Sequence, residues 1–157
     1  MPDHPLFSVS VVTPEGAAFD GDAEMLIVPG AVGEIGVLAR HAPLVAMLNA
    51  GSTRVHLGDG EIHEFATGPG FFQVLEDRAI ALVDDAVKAD EIDDARAQQQ
   101  LETAQAELER VERGESEADR WQLEQRIRHA ENQLTVVGGG PDYDRSDGRP
   151  IVASPSA

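Results

Sequence analysis

The strongest chemical signature in the chain is the glycine pattern of Pro29-Gly-Ala-Val-Gly-Glu-Ile-Gly-Val-Leu-Ala-Arg-His-Ala-Pro-Leu44. Gly30, Gly33 and Gly36 suggest a loop whose backbone N–H groups cradle a phosphate. Such loops lead into a helix N-terminus, where unpaired N–H groups and the helix dipole hold the anion. Here Val37, Leu38 and then Pro43 follow, and no Gly-Lys-Ser/Thr is present. The glycines are therefore read as tight turns and bulges at a sheet corner. His4, His56, His63 and His129 form no i, i+4 pair on one helix face and have no carboxylate cluster at metal-ligand spacing. No Gly-x-Ser-x-Gly elbow frames a serine, so neither a metal site nor a catalytic residue is assigned.

Composition narrows the classes further. A chain of 157 residues suits one domain, or a small domain with an appendage leaning on it. The formal net charge is −17, and Lys88 is the one lysine among 12 basic residues that form no run, so nucleic acid is a poor partner. An acidic surface serves solubility and would also favour docking on a basic patch. Aromatic residues make up 4%, which leaves an aliphatic core built from Val, Ile, Leu and Ala. There are no cysteines, so thiolate metal sites, cysteine nucleophiles and disulfides are absent together. Met1-Pro-Asp-His-Pro-Leu-Phe lacks a basic then apolar leader, and no stretch approaches eighteen apolar residues, so neither export by that route nor membrane spanning is expected.

The elements that position these residues fall into three segments. From 6 to 83 the period is two: Phe7-Ser-Val-Ser-Val alternates, and Glu24-Met-Leu-Ile-Val stops at Pro29-Gly30. Gly58-Asp-Gly between two strand-like runs predicts a hairpin, and Glu76-Asp77 predicts another. Many short strands without helical pattern between them predict an N-terminal antiparallel β-sandwich over residues 1–88. After Lys88 the period becomes 3.6, with Asp90 as the expected helix cap. Leu101, Ala104, Leu108 and Val111 make one narrow apolar seam, and Leu123, Ile127, Ala130, Leu134 and Val137 make a second. With Arg113-Gly114-Glu-Ser-Glu as the connection, residues 89–137 are expected to form an antiparallel two-helix hairpin, with Trp121 covering one end. Residues 138–157 are rich in Gly, Pro, Asp and Ser and are expected to be disordered.

The 29–44 run resembles the signature of the epsilon subunit of bacterial F-type ATP synthases. Gly51, the Glu64-Phe-Ala…Gly68-x-Gly-Phe stretch and Ile92-Asp-Asp-Ala-Arg-Ala97 follow in the family's order, so the resemblance covers roughly residues 5–135. Ala39 stands where the family usually has proline, and Pro69 interrupts its usual glycine pair.

The resemblance implies a non-catalytic rotor subunit, fixed to the gamma shaft and seated on the membrane-embedded c-ring of a proton-translocating enzyme. It would lie peripherally at the cytoplasmic face of the bacterial cell membrane, held there only through the complex, with catalysis on the beta subunits. It implies Glu34 as a c-ring contact and His41 as a gamma contact; without it, Glu34 reads as a solvated turn residue and His41 as a capping or core histidine. The hairpin would reach the alpha and beta subunits and inhibit ATP hydrolysis. No cofactor is required. ATP is a candidate ligand, because Ile92, Asp93, Arg96 and Ala97 are similar to the family's ATP-binding element. The structural alternative is an ordinary helix start with an intrahelical ion pair, and the acidic Glu102, Glu107 and Glu109 oppose a triphosphate. Two other readings stay open: an ATP-sensing regulatory module, and an unrelated sandwich and coiled-coil adaptor.

Overall fold

The computed structural model describes residues 5–137, together with the backbone of two short strands, Tyr143–Asp144 and Arg149–Pro150, which pair antiparallel. The remainder of the segment expected to be disordered lies outside the described residues. Ten strands come first: β1 (Phe7–Thr13), β2 (Gly16–Ala23), β3 (Met25–Gly30), β4 (Gly33–Leu38), β5 (Leu44–Leu48), β6 (Gly51–His56), β7 (Ile62–Thr67), β8 (Gly70–Leu75), β9 (Arg78–Val83) and β10 (Ala86–Lys88). A 3₁₀ turn, Ala89–Glu91, leads to α1 (Asp94–Glu112) and α2 (Arg120–Val137).

The strands hydrogen-bond in the order β10-β7-β6-β3-β5-β8-β9-β1-β2, with β4 on β3. β3 turns this path into two layers. One of its edges is covered by β4 from Met25 to Gly30, while the other is shared by β6 at Met25–Ile27 and by β5 at Gly30. Between the layers lies an aliphatic core, with Val9, Val11, Leu26, Val28, Val37 and Val55 fully buried around Phe7, Phe65 and Phe72. Period-two alternation creates it by sending every second residue of each strand inward. One pair departs from the antiparallel expectation: β1 runs parallel to β9, Ser8 to Val12 against Arg78 to Leu82. Alternation tells which side chains face inward but not which strand lies alongside.

The hairpin signals at 58–60 and 76–77 both hold, joining β6 to β7 and β8 to β9. Glu76 and Asp77 each adopt positive φ, 49° and 58°, as a two-residue turn matched to strand twist requires.

The helical start is corrected. Asp90 lies in the 3₁₀ turn, and α1 is capped by Asp93, whose carboxylate accepts the Arg96 backbone N–H at 3.1 Å. Several acidic residues in a row qualify as caps, and extended Ile92 decides which one the helix uses. Ala104, Leu123 and Ala130 of the two seams are buried, and Leu101, Leu108, Val111, Ile127 and Leu134 are half-buried. Val137 is exposed and Val136 buried instead. The connection turns at Gly114, φ 73°. Trp121, expected to cover one end, is half exposed.

Candidate functional site

The glycine run forms the β3–β4 hairpin and precedes no helix, so it is a turn and not a phosphate cradle. Gly33 has φ 137°, and a side chain on Gly30 would collide with Ile35 and with the Gly33 carbonyl. At the hairpin tip Val32 is fully exposed. Glu34 stands beside it, 47% exposed, but it is no free turn residue: its carboxylate accepts from Arg54 Nη2 at 2.9 Å, and Arg54 is only 3% exposed. Arg54 is separated from Glu34 by 20 residues, which hid this pair in the sequence.

His41 lies near the other end of β5, in the loop from β4, where its Nδ1–H donates to the Ala42 carbonyl at 2.7 Å. The neighbouring Arg40, at φ 63°, donates its backbone N–H to Asp77, which ties this loop to the β8–β9 turn. Thus Glu34 and His41 do not share a site; they mark opposite ends of β5.

Between those ends lies an apolar sheet face. Met47 pairs with Phe71, which pairs with Leu82, and Val45 lies opposite Gln73, which lies opposite Ile80. Val45, Met47, Phe71 and Leu82 are 74%, 55%, 58% and 52% exposed, and Leu75 extends the same face. Scattered exposed apolar residues are ordinary, but a contiguous set across three strands marks a docking surface.

A second docking surface is occupied within the chain. α2 turns its apolar seam to α1 and a polar stripe to β6, β7 and the β9–β10 turn. Gln125 Oε1 accepts the Ala50 backbone N–H at 2.8 Å, His129 Nε2–H donates to Asp85 Oδ2 at 2.8 Å, and Ser52 Oγ donates to Asn132 Oδ1 at 3.0 Å. Residues 125, 129, 132 and 136 follow a 4-3-4 spacing, so one helix face carries the contact. Gln125 is 5% exposed and Gln133 6%. The hydrogen bond from His129 holds the Asp85 carboxyl below the ordinary range, while burial raises that of Asp84. The sequence signal was there: uncharged Gln, His and Asn recur at helical spacing on a helix otherwise laced with charge.

On the other side of His129 a cleft of about 720 Å³ opens between the helices, lined among others by Arg96, Thr103, Glu107, Arg126 and His129. Asp93 serves as helix cap, so it and Arg96 do not act as a surface ion pair; the Arg96 side chain lines the cleft instead. Ala97 is fully buried, and Ile92 is half-buried before the cap. Arg126, unnoticed in the sequence, adds a second guanidinium to the lining. Glu107 sits in the same cleft, its carboxyl lowered by the Ser116 hydroxyl and Arg110. Among the described residues no group of three His, Asp or Glu gathers as a metal site.

A small sandwich with one exposed apolar face and a helical hairpin seated by polar contacts has the build of a docking module. Residues 6–89 match the family described as ATP synthase, Delta/Epsilon chain, beta-sandwich domain. ATP synthase epsilon chain 2 of Ralstonia nicotianae is 37% identical over 134 residues, covering 85% of this chain and 94% of that one. The ATP synthase epsilon chain of Thermosynechococcus vestitus is 35% identical over 134 residues, covering 85% and 96%. A chain in the Euglena gracilis mitochondrial ATP synthase structure shares the fold, with a TM-score of 0.67 at 23% identity over 83% of this chain and 81% of that one. The protein belongs to the ATP synthase epsilon chain family: it is a subunit of the enzyme complex and not its catalytic subunit.

Proposed function

We propose that this chain joins the gamma shaft to the c-ring in the central stalk, at the cytoplasmic face of the bacterial membrane. The carrying observation is the bare apolar face of Val45, Met47, Phe71 and Leu82, which fits a long apolar partner such as a shaft helix. His41 sits at one rim of that face, in keeping with a gamma contact. Beyond the other end of β5, the exposed Val32 tip and Glu34 are suited to polar loops of the ring. No helix among the described residues is long and apolar enough to cross a membrane, so attachment through the complex is the reading we adopt. The hairpin is a movable arm that reaches the alpha and beta subunits and restrains hydrolysis when released; its polar seat on the sandwich is consistent with reversible docking.

The experiment is co-purification with gamma. Phe71→Asp puts a charge at the centre of the face and should weaken the association at least about tenfold, as loss of a central aromatic anchor does. An undiminished association in a folded variant overturns the assignment.

One observation favours a second reading, ATP sensing: Arg96 of α1 and Arg126 of α2 line the same cleft, where they would flank a polyphosphate. Glu107 in the same lining opposes it. Calorimetric titration with ATP, repeated on Arg126→Gln, decides: heat that vanishes in the variant supports this reading, and no heat in either chain ends it.

A further inference from the structure

We propose that residues 151–153 of this chain add a further strand to the sandwich by pairing with the outer edge of β4. The inference stands on sheet geometry and needs neither the gamma contact nor the braking role.

Among the described residues no strand pairs with the second edge of β4. The two-residue turn at Ala31-Val32 makes Gly30 and Gly33 a hydrogen-bonded pair, so Ile35 and Val37 direct their N–H and C=O groups to β3. Those of Glu34, Gly36 and Leu38 point away from it. The Pro29 carbonyl fits this phase, since it turns from β4 to accept the Asn49 N–H at 3.0 Å. No described backbone bond outside the ladders reaches the three residues. Open edges invite other chains and are usually guarded by charge, brevity or a cover. β2 carries Asp20 and Asp22, and β10 has only three residues, whereas the one charge on β4, Glu34, is taken by Arg54. Gly36 needs no left-handed φ, and a side chain there would meet nothing within 4 Å. Glycine inside a strand often marks the close approach of another backbone.

The path of the chain names the occupant. Ser52 and Arg54 share a face of β6 by alternation; Ser52 meets Asn132 of α2, and Arg54 meets Glu34. α2 and the outward side chains of β4 therefore lie on one side of the sheet. Only β3 separates β6 from β4, an interval of about 10 Å. The six steps from Val137, where α2 ends, to Tyr143 reach about 20 Å and leave the Tyr143–Asp144 and Arg149–Pro150 pairing intact. Ile151, Val152 and Ala153 follow that strand directly, and Ile and Val favour extended pairing. No charge stands between Pro150 and Ala157, so nothing there opposes Leu38, 48% exposed, or the half-buried Met25 and Ile27 beside it. A second copy is the poorer occupant, because two chains of net charge −17 repel.

The test compares amide exchange in the intact chain with that in a chain ending at Pro150. The amides of Glu34, Gly36 and Leu38 should exchange about fivefold faster after truncation, while Ile35 and Val37, already bonded to β3, keep their rates. Val152→Asp in the full-length chain should reproduce the loss, because it sets an unpaired charge against an apolar strip. Unchanged rates in either altered chain overturn the proposal. So does protection that grows with protein concentration, which would make a second copy the occupant. The readout involves neither gamma nor hydrolysis, so its failure and the failure of those roles are distinguishable.

Discussion

Gln125 and Ala50, 75 residues apart, meet through a buried hydrogen bond in which the helix side chain accepts the backbone N–H at the start of β6. Truncating Gln125 to Ala leaves a buried amide without its acceptor, which costs about 1–3 kcal/mol. The loss should appear in docking rather than in the sandwich, as faster proteolysis in the 113–119 connection with little change in exchange of core amides. Unchanged cleavage would mean that the seat does not depend on this bond.

Glu34→Lys brings a second cation against Arg54. Ordinary surface charge changes stay within about 0.5 kcal/mol. This one exceeds that, because the guanidinium is buried, although the half-exposed carboxylate limits the loss to about 1–2 kcal/mol. Thermal melting measures it, and Glu34→Gln should lose less than Glu34→Lys because repulsion is absent.

Asp84 and Asp85 are adjacent but respond oppositely to acid. Asp85 has a lowered carboxyl, chiefly through His129, so its contribution is present above the ordinary value of 3.8 and fades as pH falls through the folded one. Asp84 is raised, chiefly by burial, so its charged form weighs against folding and that penalty grows as pH rises through its folded value. Both are partly exposed, which keeps each effect under about 1 kcal/mol. At pH 7 Asp85→Asn should lower the melting temperature and Asp84→Asn should raise it. Near pH 3 the two differences should shrink together.

Deleting residues 89–157 should leave a subunit that still joins gamma and supports synthesis, while hydrolysis by the catalytic complex rises or loses its lag. Steady-state rates at matched occupancy are the measure, and equal rates would mean that the arm is no brake.

Much of the fold was legible because alternation and helical periodicity report directly on burial, as in β3 and the Leu123–Ala130 seam, and because turn residues at 58–60 and 76–77 mark both hairpins. β2, Gly-Ala-Ala-Phe-Asp-Gly-Asp-Ala, was not, since an edge strand buries too little to need an apolar pattern. β4 was hidden by its glycines and read as a corner. The site was less legible still. Arg54 and Glu34, Gln125 and Ala50, and His129 and Asp85 are joined only by tertiary structure, and single polar residues carry no periodic signal of their partners. The exposed face escaped for the opposite reason: Met47 and Phe71 have the same apolar character as core residues, and only strand register shows that they face outward.

The parallel pairing of β1 with β9 has a bearing on how the chain is made. Ser8 waits for Arg78, so β1, made before the rest of this sandwich, has only β2 beside it until nearly all of the sandwich has emerged. At about 5–20 residues per second that interval is on the order of several seconds. Through it the apolar side of β1 needs shelter from other nascent chains. The helices follow later, reaching a surface that β6 and β7 have already finished, so the arm finds its place after the sandwich.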